Sequence, residues 1–173
     1  MNNFAQIVPL FKYKYVAYYS VNLDGEGETL YNQFVKNHEN SKSKNKLRHI
    51  LKWISEIGKK YGAQDRFFRN ESCIAETHAL PPVNAHIAPY FIEKGKKNNL
   101  RLYCLKVNEH VVFLFSGAVK TTLKAQDCEQ VKPHFELANK LSKAIHIALK
   151  EKDIYWNSDY TLLDCDEDFE LNY

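Results

Sequence analysis

The 173-residue chain reads as an α+β protein in which a small antiparallel β-sheet packs against helices. Three observations predict this class. The run "LRLYCLKVNEHVVFLFSGAVKTT" (100–122) is two apolar segments folded about a polar turn, the pattern of a hairpin. Two other segments, near 44–61 and 132–150, repeat their apolar residues every three or four positions, as amphipathic helices do. The order along the chain is strand, helix, helix, strand, strand, strand, helix. Three or four antiparallel strands with helices over one face is the economical arrangement for that order.

Each element has a local reason. "FKYKYVAYYSV" (11–21) is aromatic and β-branched with partial alternation, which suits a strand. "LDGEGETLYNQFVKNH" breaks at its glycines and restarts as a helix from about Glu28, with Leu30, Phe34 and Val35 on one face. In "SKSKNKLRHILKWISEIGKKYG", Leu47, Ile50, Leu51, Ile54 and Ile57 keep helical spacing between an N-cap at Ser43 and a stop at Gly62. Lys44, Lys52, Lys59 and Lys60 occupy its other face. "QDRFFRNESCIAETHAL" contains a strand around residues 73–78, which Pro81 and Pro82 end, and residues 83–99 read as an irregular insertion. The hairpin strands are 100–107 and 111–118. The last helix, about 132–150, puts Phe135, Ala138, Leu141, Ile145 and Leu149 on one face.

Composition bounds the function. No apolar run reaches membrane-spanning length and the start "MNNFAQIVPLFKYKY" has no signal-peptide plan, so a cytoplasmic protein that engages no membrane is expected. Cys73, Cys104, Cys128 and Cys165 lie far apart, and seven histidines are scattered without ligand spacing. Reduced thiols and no metal site follow. Residues 151–173 hold eight acidic side chains against one lysine, a sum of −7, so the net +3 leaves +10 on the other 150 residues. A basic body of this kind suits an anionic partner, nucleic acid being the common one. The acidic tail interleaves Leu162, Leu163, Phe169 and Leu171 with its charges, so it is expected to pack as a short strand or turn near the basic face.

The hairpin carries a cation at each end that matters. Arg101 opens its first strand and Lys120 stands just past its second, and antiparallel pairing sets the start of one beside the end of the other. A guanidinium can hold phosphate through two parallel hydrogen bonds, and the two cations flank one spot on the sheet where a phosphate could sit.

This element order, with "LRLYCLKV", "VVFLF", "GAVKTTLKA" and "ELANKLSKAI", resembles the RelE/HigB superfamily of type II toxins, the HigB or phage Gp49-like branch above all. The likeness runs over residues 100–149, and more loosely over 28–78 through "KLRHILKWISEIGKKYG" and "CIAETHAL". It implies a RelE/ParE-like toxin domain over 1–150 with an insertion at about 79–99, followed by an acidic extension at 151–173. It also implies cleavage of mRNA, often on the ribosome, by attack of a 2′-hydroxyl on the adjacent phosphate, with no cofactor. The cognate antitoxin would be the protein partner.

By the same resemblance Arg101 matches the strand arginine, Lys120 and Lys124 the basic loop, and Arg66 and Arg69 the cations before the second strand. Phe67 and Phe68 between those arginines are either base-stacking surface or core. The acid and base stay open among Glu76, His78 and His134, with Glu76 and His78 expected on one strand face. Two further readings keep the fold without the chemistry: a protein that binds a protein target, as the ParE-like branch binds gyrase, or a defence-associated binding protein.

Overall fold

The apolar run 111–115 has no open side: Val111, Val112, Phe113, Leu114 and Phe115 are all 0% exposed. A strand buried on both faces needs cover twice, and the architecture supplies it. The computed structural model describes residues 3–71, 76–83 and 97–173. Along them run β1 (Phe4–Lys12), β2 (Ala17–Leu23), α1 (Leu30–Glu39), α2 (Lys44–Glu56), β3 (Arg69–Asn70) and β4 (His78–Leu80). Then come β5 (Leu100–Lys106), β6 (Val111–Val119), α3 (Lys132–Glu151), β7 (Ile154–Trp156), β8 (Leu163–Cys165) and β9 (Leu171–Asn172).

Seven of these strands form one sheet in the order β3-β4-β5-β6-β2-β1-β9, and β7 pairs with β8 separately. On one face, Leu47, Ile50, Trp53 and Ile54 of α2 pack with Leu100, Leu102, Cys104, Val112 and Leu114. On the other, Phe135, Ala138, Leu141 and Ile145 of α3 pack with Tyr103, Leu105, Phe113 and Phe115.

The α+β class holds, but two expectations are corrected. The sheet is mixed and larger than three or four strands, because β2 runs parallel to β6 through Ala17 to Tyr19 and Val111 to Phe113. Helices also cover both faces, as the unbroken apolar runs of β5 and β6 require. The segment 11–21 is likewise not one strand. It crosses a turn, closed by Tyr13 N donating to Val16 O at 2.9 Å, between β1 and β2. Aromatic content alone does not mark that turn, because no glycine, asparagine or aspartate stands in it.

Local signals set the helices well. Thr29 caps α1, its Oγ1 accepting from Asn32 N at 3.2 Å. The pairing of β2 with β6 ends after three residues, and α1 packs against both strands, Tyr31 N donating to Ser20 Oγ at 3.3 Å. After α2 the chain adds a wider π-helical turn (Ile57–Tyr61) and stops at Gly62, whose φ of 76° favours glycine. Tyr18 Oη donates to Ile54 O at 2.8 Å, fixing α2 to the sheet.

The tail packs, as its apolar residues predict, but at the sheet edge opposite β3 and β4 rather than beside Arg101 and Lys120. There β9 pairs with β1. Tyr19 Oη donates to Leu163 O at 3.1 Å and accepts from Leu163 N at 3.0 Å. Leu163 and Leu171 join the core on the α3 side. Among the described residues no helix is long and apolar enough to cross a membrane. Leu171→Ala should therefore cost about 2–5 kcal/mol, the usual loss for a buried leucine. Deleting residues 157–173 should lower the urea midpoint further, which equilibrium unfolding followed by circular dichroism will show.

Candidate anion site on the hairpin

Arg101 and Lys120 meet on one carboxylate, Glu71. The register places Arg101 opposite Ala118, and Lys120 N donates to Asn99 O at 2.8 Å, so the ladder continues to the lysine. Lys120 Nζ donates to Glu71 Oε2 at 2.6 Å, and Arg101 Nε stands 3.3 Å from Glu71 Oε1. The three side chains are 5% to 11% exposed.

The arginine is held from behind. Its Nη1 donates to Asn98 O at 2.6 Å and Leu100 O at 3.2 Å. Asn98 is itself tied to α2, Nδ2 donating to Lys46 O at 2.9 Å. The approach of β5 to β6 depends on Gly117, since a Cβ there would lie 1.7 Å from the Arg101 carbonyl oxygen.

Alternation puts Arg101 and Tyr103 on the face that α3 covers, and Arg69 joins them because it pairs with Ala79, itself paired with Tyr103. Arg69 is fixed by carbonyls, with Nε donating to Pro81 O at 2.6 Å and Nη2 to Pro82 O at 3.4 Å. Burial, then the nearby Arg101 charge, brings its pKa down to about 10, with Glu71 opposing. Burial also lowers Arg101, again against Glu71.

Cys128 closes the loop that follows Lys120, its sulfur receiving Thr121 N and meeting Thr121 Oγ1, both at 3.5 Å. Burial raises its pKa, but hydrogen bonds from Thr121, Val131 and Gln130 outweigh this and bring it to about 6. Cys104, Cys128 and Cys165 are free thiols, and Cys73 lies outside the described residues.

The other expected site residues scatter. Lys124 is exposed on the loop, next to Leu123, which is 99% exposed. Arg66 lies over the rings of Tyr61 and Phe67, and Phe67 and Phe68 are core.

Glu76 and His78 do not share a face. The strand begins only at His78, so alternation does not reach back to Glu76. Glu76 pairs with His146 of α3 at 2.5 Å, while His78 sits against Phe68 and pairs with Cys104. His134 contacts Ser116 Oγ through Nδ1 at 2.8 Å, on the α3 side of β6.

Sequence reasoning missed Glu71, Tyr103 and His38. Glu71 stands two residues after Arg69, which was the one available signal. His38, at the end of α1, lies close enough to His134 to depress its pKa. Among the described residues no group of three His, Cys, Asp or Glu is arranged to hold a metal ion.

Against models of known protein families, curated proteins and solved structures, the chain finds no match. The site must be read from its own geometry.

Two predictions follow from these charges. Glu71→Gln leaves Arg101 and Lys120 facing each other without an anion, and losing one partner of a buried pair costs about 3–5 kcal/mol. Urea unfolding of the variant should show that loss. His38, His49, His78 and His134 are all held below the ordinary imidazole range, chiefly by burial. The unfolded chain therefore binds more protons below about pH 6.5, and this part of the stability, full above that value, is lost as the pH falls through the lower folded values. The urea midpoint should drop between pH 7 and pH 5, and His134→Gln should flatten part of that slope.

Proposed function

We propose that the protein is a metal-independent endoribonuclease of the RelE/HigB type, acting on mRNA as the toxin partner of an antitoxin. One observation carries the reading: Arg101 and Lys120, from the two ends of the hairpin, converge on a single carboxylate. Two cations that share one carboxylate can share one phosphate of similar reach. In the reaction the substrate phosphate takes both cations, which stabilise the charge building on its oxygens. Glu71, released beside it, accepts the proton of the 2′-hydroxyl. The 2′ oxygen forms its bond to phosphorus, the bond to the 5′ oxygen breaks, and that oxygen takes a proton from solvent. Products are a 2′,3′-cyclic phosphate and a free 5′-hydroxyl. Arg69 adds positive potential, and Lys124 on the exposed loop meets the flanking backbone.

A specific feature favours a second reading, a binder of a protein target that has no catalysis. Leu123, 99% exposed three residues beyond Lys120, is a large apolar side chain that a protein partner would cover.

RNA cleavage in a translation extract separates them. Wild-type protein should cut mRNA, Arg101→Ala should lose about 10²–10³ in rate as a charge-stabilising donor is removed, and Lys120→Ala should lose less. Arg101→Lys keeps the charge and the fold but not the two-pronged grip, and should stay impaired. Full activity of Arg101→Lys and Arg101→Ala, or intact mRNA with the wild-type protein, would sink the nuclease reading. RNA affinity should also fall steeply between about 50 and 200 mM salt.

A further inference from the structure

Among the described residues, two donors near Glu71 are buried without a hydrogen-bond partner. Tyr103 is 0% exposed and its hydroxyl finds none, and Arg101, 9% exposed, has Nε near Glu71 without hydrogen-bond geometry. Buried polar groups are nearly always satisfied, so two orphans in one cluster call for an explanation. They stand two residues apart on one face of β5, and Arg101 reaches Glu71, on which Lys120 also converges. Burial, then Glu71, pushes the Tyr103 hydroxyl well above its ordinary range, so it keeps its proton and has it to donate.

We infer that Tyr103 is the third donor of the phosphate site, and that Glu71 holds the place of the phosphodiester until the substrate exchanges with it. This rests on the reading of the site as a phosphate site, and adds to it the residue that distinguishes the two anions. A carboxylate has two oxygens and satisfies Lys120 and, imperfectly, Arg101. A phosphodiester offers two non-bridging oxygens together with its ester oxygens, in a tetrahedral spread. It can therefore receive Lys120 Nζ, Arg101 Nε and Tyr103 Oη at once. The unmet hydroxyl is the difference between the resting anion and the ligand.

The test is Tyr103→Phe, which removes one oxygen and keeps the ring packed against Phe135. Binding is measured with inorganic phosphate by thermal shift and with a 2′-O-methyl oligoribonucleotide, which cannot be cut, by fluorescence anisotropy. The variant should melt at the same temperature as wild type or higher, since it sheds an unsatisfied buried hydroxyl. Its affinity for both probes should fall about tenfold, the loss of one hydrogen bond to a charged group.

Equal affinity in the two proteins overturns the inference, as does wild-type protein that binds neither probe. A Tyr103→Phe chain that fails to fold overturns it too, because the hydroxyl then serves the fold. The nuclease reading fails separately. Wild-type protein that binds phosphate through Tyr103 yet leaves RNA whole keeps this inference and discards that one. Unchanged phosphate affinity in a Tyr103→Phe protein whose parent cuts RNA does the reverse.

Discussion

The rest of the structure depends on the burial of β5 and β6 from both sides. From Leu100 to Leu105 every residue is buried, and on β6 the run continues from Val111 to Gly117. A hairpin like that cannot sit at the surface of a two-layer protein, and α2 and α3, which lie on either side of it in sequence, cover its opposite faces. That demand also sets where charge can go. Arg101 enters the buried ladder at its start, and an arginine there needs a partner within reach. Glu71 supplies it, with Lys120 as the second cation on the same carboxylate.

Such a cluster is a poor way to gain stability. The cost of taking three charged groups out of water roughly cancels their attraction, and an apolar filling of the same space does as well or better. Its presence at the end of an otherwise apolar hairpin therefore asks for a reason other than stability, and the anion exchange proposed above would be one. Arg69 adds charge, the Tyr103 hydroxyl has no partner among the described residues, and Cys128 fixes the loop that starts at Lys120. The opposite edge has the contrary character. There β1 and the hydroxyl of Tyr19 bind the tail, through its strand β9 and its buried leucines, which makes the tail part of the core.

What the sequence by itself determined was whatever short-range pattern can encode. The apolar spacing of Leu47 to Ile57 and of Phe135 to Leu149 gave both long helices, and Gly62 gave the stop of the first. The turn after Val107 gave the hairpin, and antiparallel pairing then set Arg101 near Lys120 without any other knowledge of the fold. Only the tertiary structure decided the rest. The parallel step from β2 to β6 joins residues more than ninety positions apart, and no local period reports it. The two-sided cover of the hairpin was latent in its unbroken apolar runs, but which helix takes which face is a matter of topology. Glu71 lies 30 residues before Arg101 and 49 before Lys120, in a segment without periodicity, and reaches them only because β4 carries β3 to the flank of β5. The unmet hydroxyl of Tyr103 is legible from no sequence, since whether a buried donor is satisfied depends on atoms that only folding brings within 3 Å of it.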